Sequence, residues 1–128
     1  MKAPKKKGKN KVKLYEVDLN NSITFNGETI SKAIIDLDHI NYGVDKKTGK
    51  LNKKKRLNFT LNDIKNFIRE LDGEDISAKK YDGSWSLYVT RIDSPIKGKH
   101  EGKEFIMVFK INYRSSEVIH TVTLYPGW

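Results

Sequence analysis

The sequence predicts an α+β fold in which two helices pack on a four- or five-stranded antiparallel sheet. Apolar residues follow helical spacing only in the first half of the chain, whereas they alternate along strands in the second half. Turn-forming pairs, including Asp82-Gly83, separate the alternating runs. Because 128 residues suffice for one hydrophobic core, we expect a single domain over residues 14–128, preceded by a basic mobile tail over residues 1–13.

Two extended segments are predicted ahead of the helices. Apolar residues between Val12 and Leu19 indicate a first strand, which should end at the turn-prone Asn20-Asn21-Ser22. A second extended segment runs from Ile23 to Ile30 and carries Asn26-Gly27, a two-residue hairpin signal, at its centre.

A short helix is predicted next. Ser31 can cap a helix that leads through Ile34 and Leu37 to His39 and ends at Gly43.

The second helix is better defined. Thr60 and Asp63 resemble a capping box, and Asp72-Gly73 stops the helix. Its apolar residues recur at helical spacing: Leu61, Ile64, Phe67, Ile68 and Leu71.

The rest of the chain is predicted to form strands. One covers Ile76 to Tyr81, and a closing hairpin runs from Phe105 to Trp128. In the strand between them the predicted core face holds Trp85, Leu87 and Val89, and the other face holds Tyr88 and Thr90.

The last strand has a row of hydroxyl groups on its predicted outer face. The residues that share this face are Ile119, Thr121, Thr123 and Tyr125. Hydroxyls in a basic chain suggest contact with phosphate, although Thr and Tyr also favour strands for packing reasons. Both interpretations stay open on spacing alone.

Positive charge is concentrated in two lysine-rich segments. Of the net charge of +9, residues 1–13 contribute +7 and residues 45–56 contribute +6, which leaves −4 for the rest. Such segments attract nucleic acid or another polyanion, and we expect residues 44–56 to form an exposed basic loop. An AT-rich genome also produces a composition rich in Lys and Asn, so this alternative stays open.

Several chemistries lack support in the sequence. The chain has no cysteine, which excludes disulfides and thiolate catalysis. It shows no membrane-spanning apolar run and no secretory signal. No two histidines have metal-ligand spacing and the acidic residues are scattered, so we predict neither a metal nor another cofactor.

Three histidines are candidates for acid or base catalysis near neutral pH. His120 falls within the apolar alternation of the last strand, which favours a core role, and His100 lies in a loop, which favours a plain surface role. His39 ends a short apolar helix just before the basic loop, where it is held within reach of a bound phosphate. A helix-end histidine favoured by the helix dipole is the alternative.

These features together favour phosphoryl transfer on RNA without a metal. His39, Arg56, Arg91 and the hydroxyl-bearing strand can supply a proton acceptor, cationic stabilisation of the phosphorane and a proton donor. The attacking group would be the 2′-hydroxyl of the RNA itself.

The order of these features resembles the small toxin ribonucleases of the barnase, EndoU, colicin and RelE assemblage, the BECR fold. The resemblance covers roughly residues 36–126. It rests on His39, the Gly- and Lys-rich loop, Arg56 shortly before Phe59, the Thr-capped helix and the closing Val-Thr-Leu-Tyr-Pro of residues 122–126. The chain looks most like the carboxy-terminal toxin domains of contact-dependent inhibition and polymorphic toxin systems, which have two helices on a four- or five-stranded antiparallel sheet.

The resemblance implies roles for individual residues. His39 would be the general base or acid, and Arg56 or its neighbour Lys55 would stabilise the phosphate charge. Thr123 would bond a phosphate oxygen, and Tyr125 would stack on a base or donate a proton. The Asn-Tyr-Gly that follows His39 lacks the second histidine or arginine often found there.

Further contacts to substrate are expected nearby. They are Lys53, Lys54, Lys55, Arg91, Thr121 and Trp128. Strand alternation places Arg91 on the face of Leu87 and Val89, where closing the core edge is an alternative role. Trp128 is placed to stack on a base.

The sequence therefore predicts a metal-independent endoribonuclease toxin that cuts RNA, with tRNA as a candidate, to a 2′,3′-cyclic phosphate. It would act in the cytoplasm, either delivered into a target cell within a larger secreted protein or as a stand-alone toxin, and an acidic immunity protein or antitoxin would neutralise it. Two other classes stay open: a non-catalytic RNA- or DNA-binding module, and an immunity or accessory protein. A pure binder has no need of His39 beside the basic loop, and an immunity protein for a basic toxin would be acidic.

Overall fold

The computed structural model describes residues 14–112 and 118–127, apart from the side chains of residues 82 and 120–122. The predicted tail over residues 1–13 lies outside them. The described chain is α+β, with six strands and two helices. They are β1 (Leu14–Phe25), β2 (Glu28–Asp36), α1 (Leu37–Tyr42), α2 (Leu61–Arg69), β3 (Lys80–Asp82), β4 (Trp85–Asp93), β5 (Glu104–Asn112) and β6 (Val118–Pro126).

The strands form one mixed sheet in the order β1-β2-β6-β5-β4-β3. The α+β class with two helices is confirmed, whereas a purely antiparallel sheet of four or five strands is wrong. The β1–β2 hairpin joins the same sheet, and β2 lies parallel to β6 while the other pairs are antiparallel. A parallel pair needs a crossover that returns the chain to its starting end, and both helices and three strands form that connection between β2 and β6.

The first helix begins five residues later than the sequence predicts, with Asp36 instead of Ser31 as its N-cap. Residues 31–36 continue β2, which pairs with β1 on one side and β6 on the other, as in Tyr15↔Ile35 and Ile35↔Val122. Pairing on both edges outweighs the helical spacing of this segment. Helix α1 starts at Leu37, and the Asp36 carboxylate caps it by accepting from the His39 backbone N–H at 3.1 Å.

Turn chemistry within β1 and β2 is partly as predicted. Asn26-Gly27 forms the hairpin turn, with positive φ at both residues (51° and 78°). Asn20 and Asn21 also have positive φ, 54° each, but they do not end β1. The register shifts between Asp18 and Ile23, so the turn-prone residues form an irregularity inside a longer strand.

The strand predicted from Ile76 is shorter in the structure. Strand β3 begins only at Lys80. The Asn26 side chain bonds the backbone of Ile76 in place of a strand partner, accepting from its N–H at 2.7 Å and donating to its C=O at 2.9 Å. The segment before β3 is therefore fixed by side-chain bonds.

The core face of β4 is the opposite of the predicted one. Ser86 and Tyr88 are buried, whereas Trp85, Leu87 and Val89 are partly or largely exposed. Tyr88 is paired with Phe109, and Phe25 packs edge-on against it at 5.1 Å. The register with β5, which the sequence of β4 alone does not reveal, selects the inward face.

The residues predicted to share the outer face of β6 do not all lie on one face of the strand. Ile119 is fully buried, as is Leu124, so Ile119 does not share a face with Thr123. The register of β5 and β6 shifts between the Val108↔Thr123 and Lys110↔His120 pairs. This irregularity changes, part-way along β6, which residues face the core. The prediction that Ile119 shares the outer face with the hydroxyl-bearing residues is therefore wrong.

Helix α2 covers the core face of the sheet and begins where it was predicted, but it ends at Arg69, before the predicted stop at Asp72-Gly73. Thr60 and Asp63 form a full capping box. Phe67 packs against Phe59 at 5.2 Å and against Phe105 at 5.3 Å between ring centroids. The loop that precedes the helix is thereby fixed to the start of β5.

Asp63 also pairs with Lys99, whose Nζ lies 2.7 Å from Asp63 Oδ2. Burial alone would raise the pKa of Asp63, but the hydrogen bond and charge of Lys99 and the bonds to Thr60 lower it overall. A carboxylate with a lowered folded pKa stabilises the fold above its ordinary titration range, and this stability is lost as the pH falls through the folded value.

We expect Asp63→Asn to lower the free energy of unfolding by about 1–2 kcal/mol at pH 7, because the charged hydrogen bond to Lys99 is lost. The difference from the parent should vanish as the pH falls well below about 4. Urea denaturation between pH 7 and pH 2.5 measures it, with the exposed Asp75→Asn as the matched control. A difference that persisted at the lowest pH would contradict this role of the ionised carboxylate.

Candidate functional site

The buried side chain of Asn41 fixes the chain on both sides of the basic loop. Asn41 is 4% exposed. Its amide group donates to the Phe59 C=O and accepts from the Phe59 N–H, both at 2.9 Å. Its backbone C=O accepts from the N–H groups of Arg56 and Leu57 at 2.8 and 3.0 Å. The end of the loop is therefore held against α1, where the loop began.

The basic loop between these anchors is exposed, as predicted, from residue 45 to residue 56. It closes on itself through the Val44↔Leu51 bridge. Within it the Asp45 N–H donates to the Lys50 C=O at 2.9 Å, and the Gly49 N–H donates to the Asp45 C=O at 2.8 Å. The lysines of the loop are thus carried on a closed turn.

Arg56 lies across the end of α1. Its Nε donates to the Ile40 C=O at 3.3 Å, one of the carbonyls that a helix leaves without an internal partner. Burial lowers the pKa of Arg56 from its ordinary value, although a guanidinium stays cationic at neutral pH. Arg56 therefore places a positive charge at the residue next to His39.

Gly43 makes this position of Arg56 possible. Gly43 ends α1 with φ 78° and ψ 170°, a conformation that is essentially restricted to glycine. A Cβ atom here would lie 3.1 Å from Arg56 Cζ and 3.2 Å from Arg56 Nε. The glycine is needed both for its backbone angle and for the approach of the guanidinium.

His39 is positioned by the residue that caps its helix. Its backbone N–H donates to Asp36 Oδ1, and its ring Nδ1 lies 3.8 Å from Asp36 Oδ2. The side chain is 40% exposed, while that of Asp36 is mostly buried. A carboxylate beside one ring nitrogen orients the imidazole and leaves its other nitrogen for a ligand.

Beside α1 lies an open basic concavity of about 540 Å³. It is lined by Tyr42, Asn52, Lys53, Lys54, Lys55 and Arg56. The lysines and Arg56 are predicted site residues, whereas Tyr42 and Asn52 were missed. The signal for Tyr42 was an aromatic residue immediately before a basic segment, a combination typical of nucleic-acid surfaces.

Thr123, Tyr125 and Arg91 form a second group on the outer face of the sheet, away from α2. Thr123 pairs with Val108, and Tyr125 pairs with Ile106, which also pairs with Arg91. Tyr125 is 41% exposed. The Arg91 side chain is 76% exposed and lies 3.7 Å from Glu104, so it does not close off the core edge.

The two groups are related through the topology. Helix α1 continues from the end of β2, and β6 runs parallel to β2, so α1 lies next to the half of β6 that holds Thr123 and Tyr125. Among the described residues, no hydrogen bond or ion pair joins His39 or Arg56 to Thr123 or Tyr125. Trp128 and the side chain of Thr121 lie outside the described part of the chain.

Metal and membrane features were also sought in residues 14–112 and 118–127. They contain no group of three or more His, Asp or Glu side chains arranged to hold a metal ion. No helix among them is long and apolar enough to cross a membrane.

We expect Gly43→Ala to displace the Arg56 guanidinium, because the added methyl group would lie only 3.1 Å from its Cζ atom. The ¹⁵N NMR signal of the Arg56 Nε–H should shift or broaden, and stability should fall by about 1–3 kcal/mol. Gly49→Ala is the matched control, because Gly49 also has positive φ (72°) but a Cβ there meets nothing within 4 Å. An unchanged Arg56 signal in Gly43→Ala would contradict the contact.

Comparison with known proteins finds no match: no family model, no curated protein and no solved structure matches the chain.

Proposed function

We propose that this protein is a metal-independent endoribonuclease that cleaves RNA by attack of the 2′-hydroxyl, leaving a 2′,3′-cyclic phosphate. The observation that carries the proposal is that Arg56, at the end of the basic loop, lies across the end of the short helix that carries His39, beside the basic concavity. A proton-transfer group and a fixed cation next to a phosphate-attracting surface are what this reaction requires. No metal is needed, because the substrate supplies its own nucleophile.

His39 is proposed as the general base or acid. The Asp36 carboxylate, whose Oδ2 lies 3.8 Å from His39 Nδ1, stands on one side of the ring. Because the imidazole is partly exposed, a phosphodiester can reach it from solvent.

Arg56 is proposed to stabilise the extra negative charge of the phosphorane. A guanidinium can donate two parallel hydrogen bonds to phosphate oxygens. Its contacts with Ile40 and Gly43 hold the group before substrate binds, which reduces reorganisation during the reaction. Lys53, Lys54 and Lys55 add long-range attraction for the RNA strand.

Thr123 and Tyr125 are proposed to contact the RNA where it passes the end of the sheet. Thr123 would donate to a phosphate oxygen, and Tyr125 would stack on a base or donate a proton. Tyr125 is exposed and Thr123 is half-buried on the outer face of β6, next to α1, which supports this path for the RNA strand.

The proposed biological role is that of a toxin. It would act on cytoplasmic RNA, with tRNA as a candidate, and would be neutralised by an immunity protein or antitoxin. The exposed lysines of the loop favour an acidic partner, because opposite charge accelerates association.

The second candidate function is non-catalytic binding of RNA or DNA. The exposed lysine cluster supports it directly, because phosphate attraction needs no catalytic residue. The two functions differ in one respect: a binder retains the nucleic acid without cutting it.

We expect the purified protein to cut end-labelled RNA in EDTA and to leave 2′,3′-cyclic phosphate ends, whereas a 2′-deoxy linkage at the cut site should resist. His39→Ala and Arg56→Ala should each lower kcat/KM by about 10²–10⁴-fold, because each removes a group that acts in the transition state. Thr123→Ala should lower it less. Gel analysis of the products and initial rates measure these effects.

Two matched variants serve as controls. Arg69→Ala removes an exposed arginine at the far end of α2, and Thr29→Ala removes an exposed strand threonine at the end of β2 opposite α1. Both should cut RNA at the parent rate. Intact RNA that the protein retains on a gel in a salt-sensitive way would contradict the enzyme and support the binding module. Full activity of His39→Ala would show that His39 takes no part in the mechanism.

A further inference from the structure

The loop between β4 and β5, residues 94–103, is held in one shape by its own hydrogen bonds. The buried Ser94 hydroxyl donates to the Lys99 C=O at 2.9 Å. The Ser94 N–H donates to the Lys103 C=O at 2.9 Å, and the Gly102 N–H donates to the Ser94 C=O at 3.0 Å. A loop bonded in this way can hold a side chain in a defined place.

Lys99 fixes this loop to the segment that carries Arg56. Its Nζ donates to Asp63 Oδ2 at 2.7 Å and to the Asn58 C=O at 3.2 Å. Residues 56–59 are held on their other side by Asn41 of α1. The loop and α1 therefore meet on two sides of the same short segment.

His100 projects from this loop onto the aromatic core at that point. Its ring centroid lies 6.3 Å from that of Phe59 and 6.0 Å from that of Phe105, with the rings steeply inclined to each other. The residue is exposed to solvent. Its backbone has φ 56°, which is uncommon for residues other than glycine and tends to occur at functional sites.

The sheet brings His100 and His39 to the same end of the molecule. The loop leads into β5 at Glu104, and Phe105 pairs with Pro126 at the end of β6. Strand β2 runs parallel to β6 and continues into α1 at this end. Because β6 alone separates β2 from β5, the two strands that carry the histidine-bearing segments are about 10 Å apart.

We propose that His100 is the second proton-transfer residue of the ribonuclease site and that the scissile phosphodiester binds between it and His39. This assignment rests on the proposed function. One histidine accepts the proton of the 2′-hydroxyl as the bond from O2′ to phosphorus forms. The other gives a proton to O5′ as the bond from phosphorus to O5′ breaks, so protons and electrons balance without a co-reactant.

The in-line course of the reaction explains why two groups are needed. The attacking and leaving oxygens stand on opposite sides of phosphorus, so a single imidazole cannot serve both at once. Tyr125 is the other donor considered for this step. It lies on the outer face of the sheet, whereas His100 and Arg56 adjoin the Phe59 segment on the helix-bearing face. Tyr125 then retains a role in contacting a base.

Charged groups near His100 come from three elements. Its own loop contributes Lys99, Glu101 and Lys103, and α2 contributes Asp63 through Lys99. Glu104 begins β5. The aromatic rings of Phe59 and Phe105 carry no charge.

The pH dependence of cleavage tests the assignment. One group must act deprotonated and the other protonated, so the parent should show a bell-shaped kcat/KM profile with one limb from each histidine. His100→Asn should remove one limb and lower the maximum about 10²–10³-fold. Asparagine tolerates the positive φ of this position, and thermal unfolding of the variant reports whether the loop is retained. Added imidazole should restore part of the rate of His100→Gly.

Lys97→Ala, an exposed residue of the same loop, is the control and should keep both limbs. Cleavage by the parent with both limbs retained in a folded His100→Asn would overturn the role of His100 and leave the proposed function standing. An alkaline limb that Tyr125→Phe removes and His100→Asn leaves in place would give the step to Tyr125. Absence of cleavage by the parent would overturn both proposals.

Discussion

The candidate site depends on one buried amide. Asn41 is nearly inaccessible to solvent, and its side chain bonds both backbone groups of Phe59. Burial of the amide without these partners would cost about 1–3 kcal/mol of folding free energy. The two hydrogen bonds therefore stabilise the return of the chain from the basic loop to α1. This return brings Arg56 across the end of the helix that carries His39. The exposed loop can therefore hold several lysines without loss of order at its ends.

The mixed topology then determines what surrounds α1. Because β2 and β6 are parallel, the helix that leaves β2 stands beside the end of β6, where Thr123 and Tyr125 lie. The antiparallel pairing of β5 with β6 brings the loop of residues 94–103 to the same end. In a purely antiparallel sheet the end of β2 would stand beside the beginning of its neighbour, and these groups would be separated. The parallel pair is thus the feature of the fold that assembles the site.

Local sequence signals predicted those parts that local interactions determine. The capping box of Thr60 and Asp63 defined α2, Asn26-Gly27 defined a hairpin turn, and the lysine run defined the exposed loop. The predicted start of α1 was wrong because pairing on both edges of β2 extends the strand to Asp36. The predicted core face of β4 was wrong, and that of β6 was wrong at Ile119, because partners and register shifts far along the chain select these faces. Among the residues of the candidate site, His39, Arg56 and the lysines could be recognised from the sequence pattern. The role of Asn41 could not, because it depends on hydrogen bonds to Phe59 that residue spacing does not reveal.

A double-mutant cycle between Asn41 and Arg56 tests most directly whether the amide holds the cation in a working ribonuclease site. RNA cleavage in EDTA would be measured for the parent, Asn41→Ala, Arg56→Ala and the double variant, with unfolding followed to confirm that each is folded under the assay conditions. If Asn41 acts by positioning Arg56, the double variant should lose little more activity than Arg56→Ala alone. Without the Arg56 side chain, Asn41 has no guanidinium left to position. Losses in kcat/KM that multiply independently, or an Asn41→Ala variant that cuts RNA at the parent rate while folded, would contradict the account.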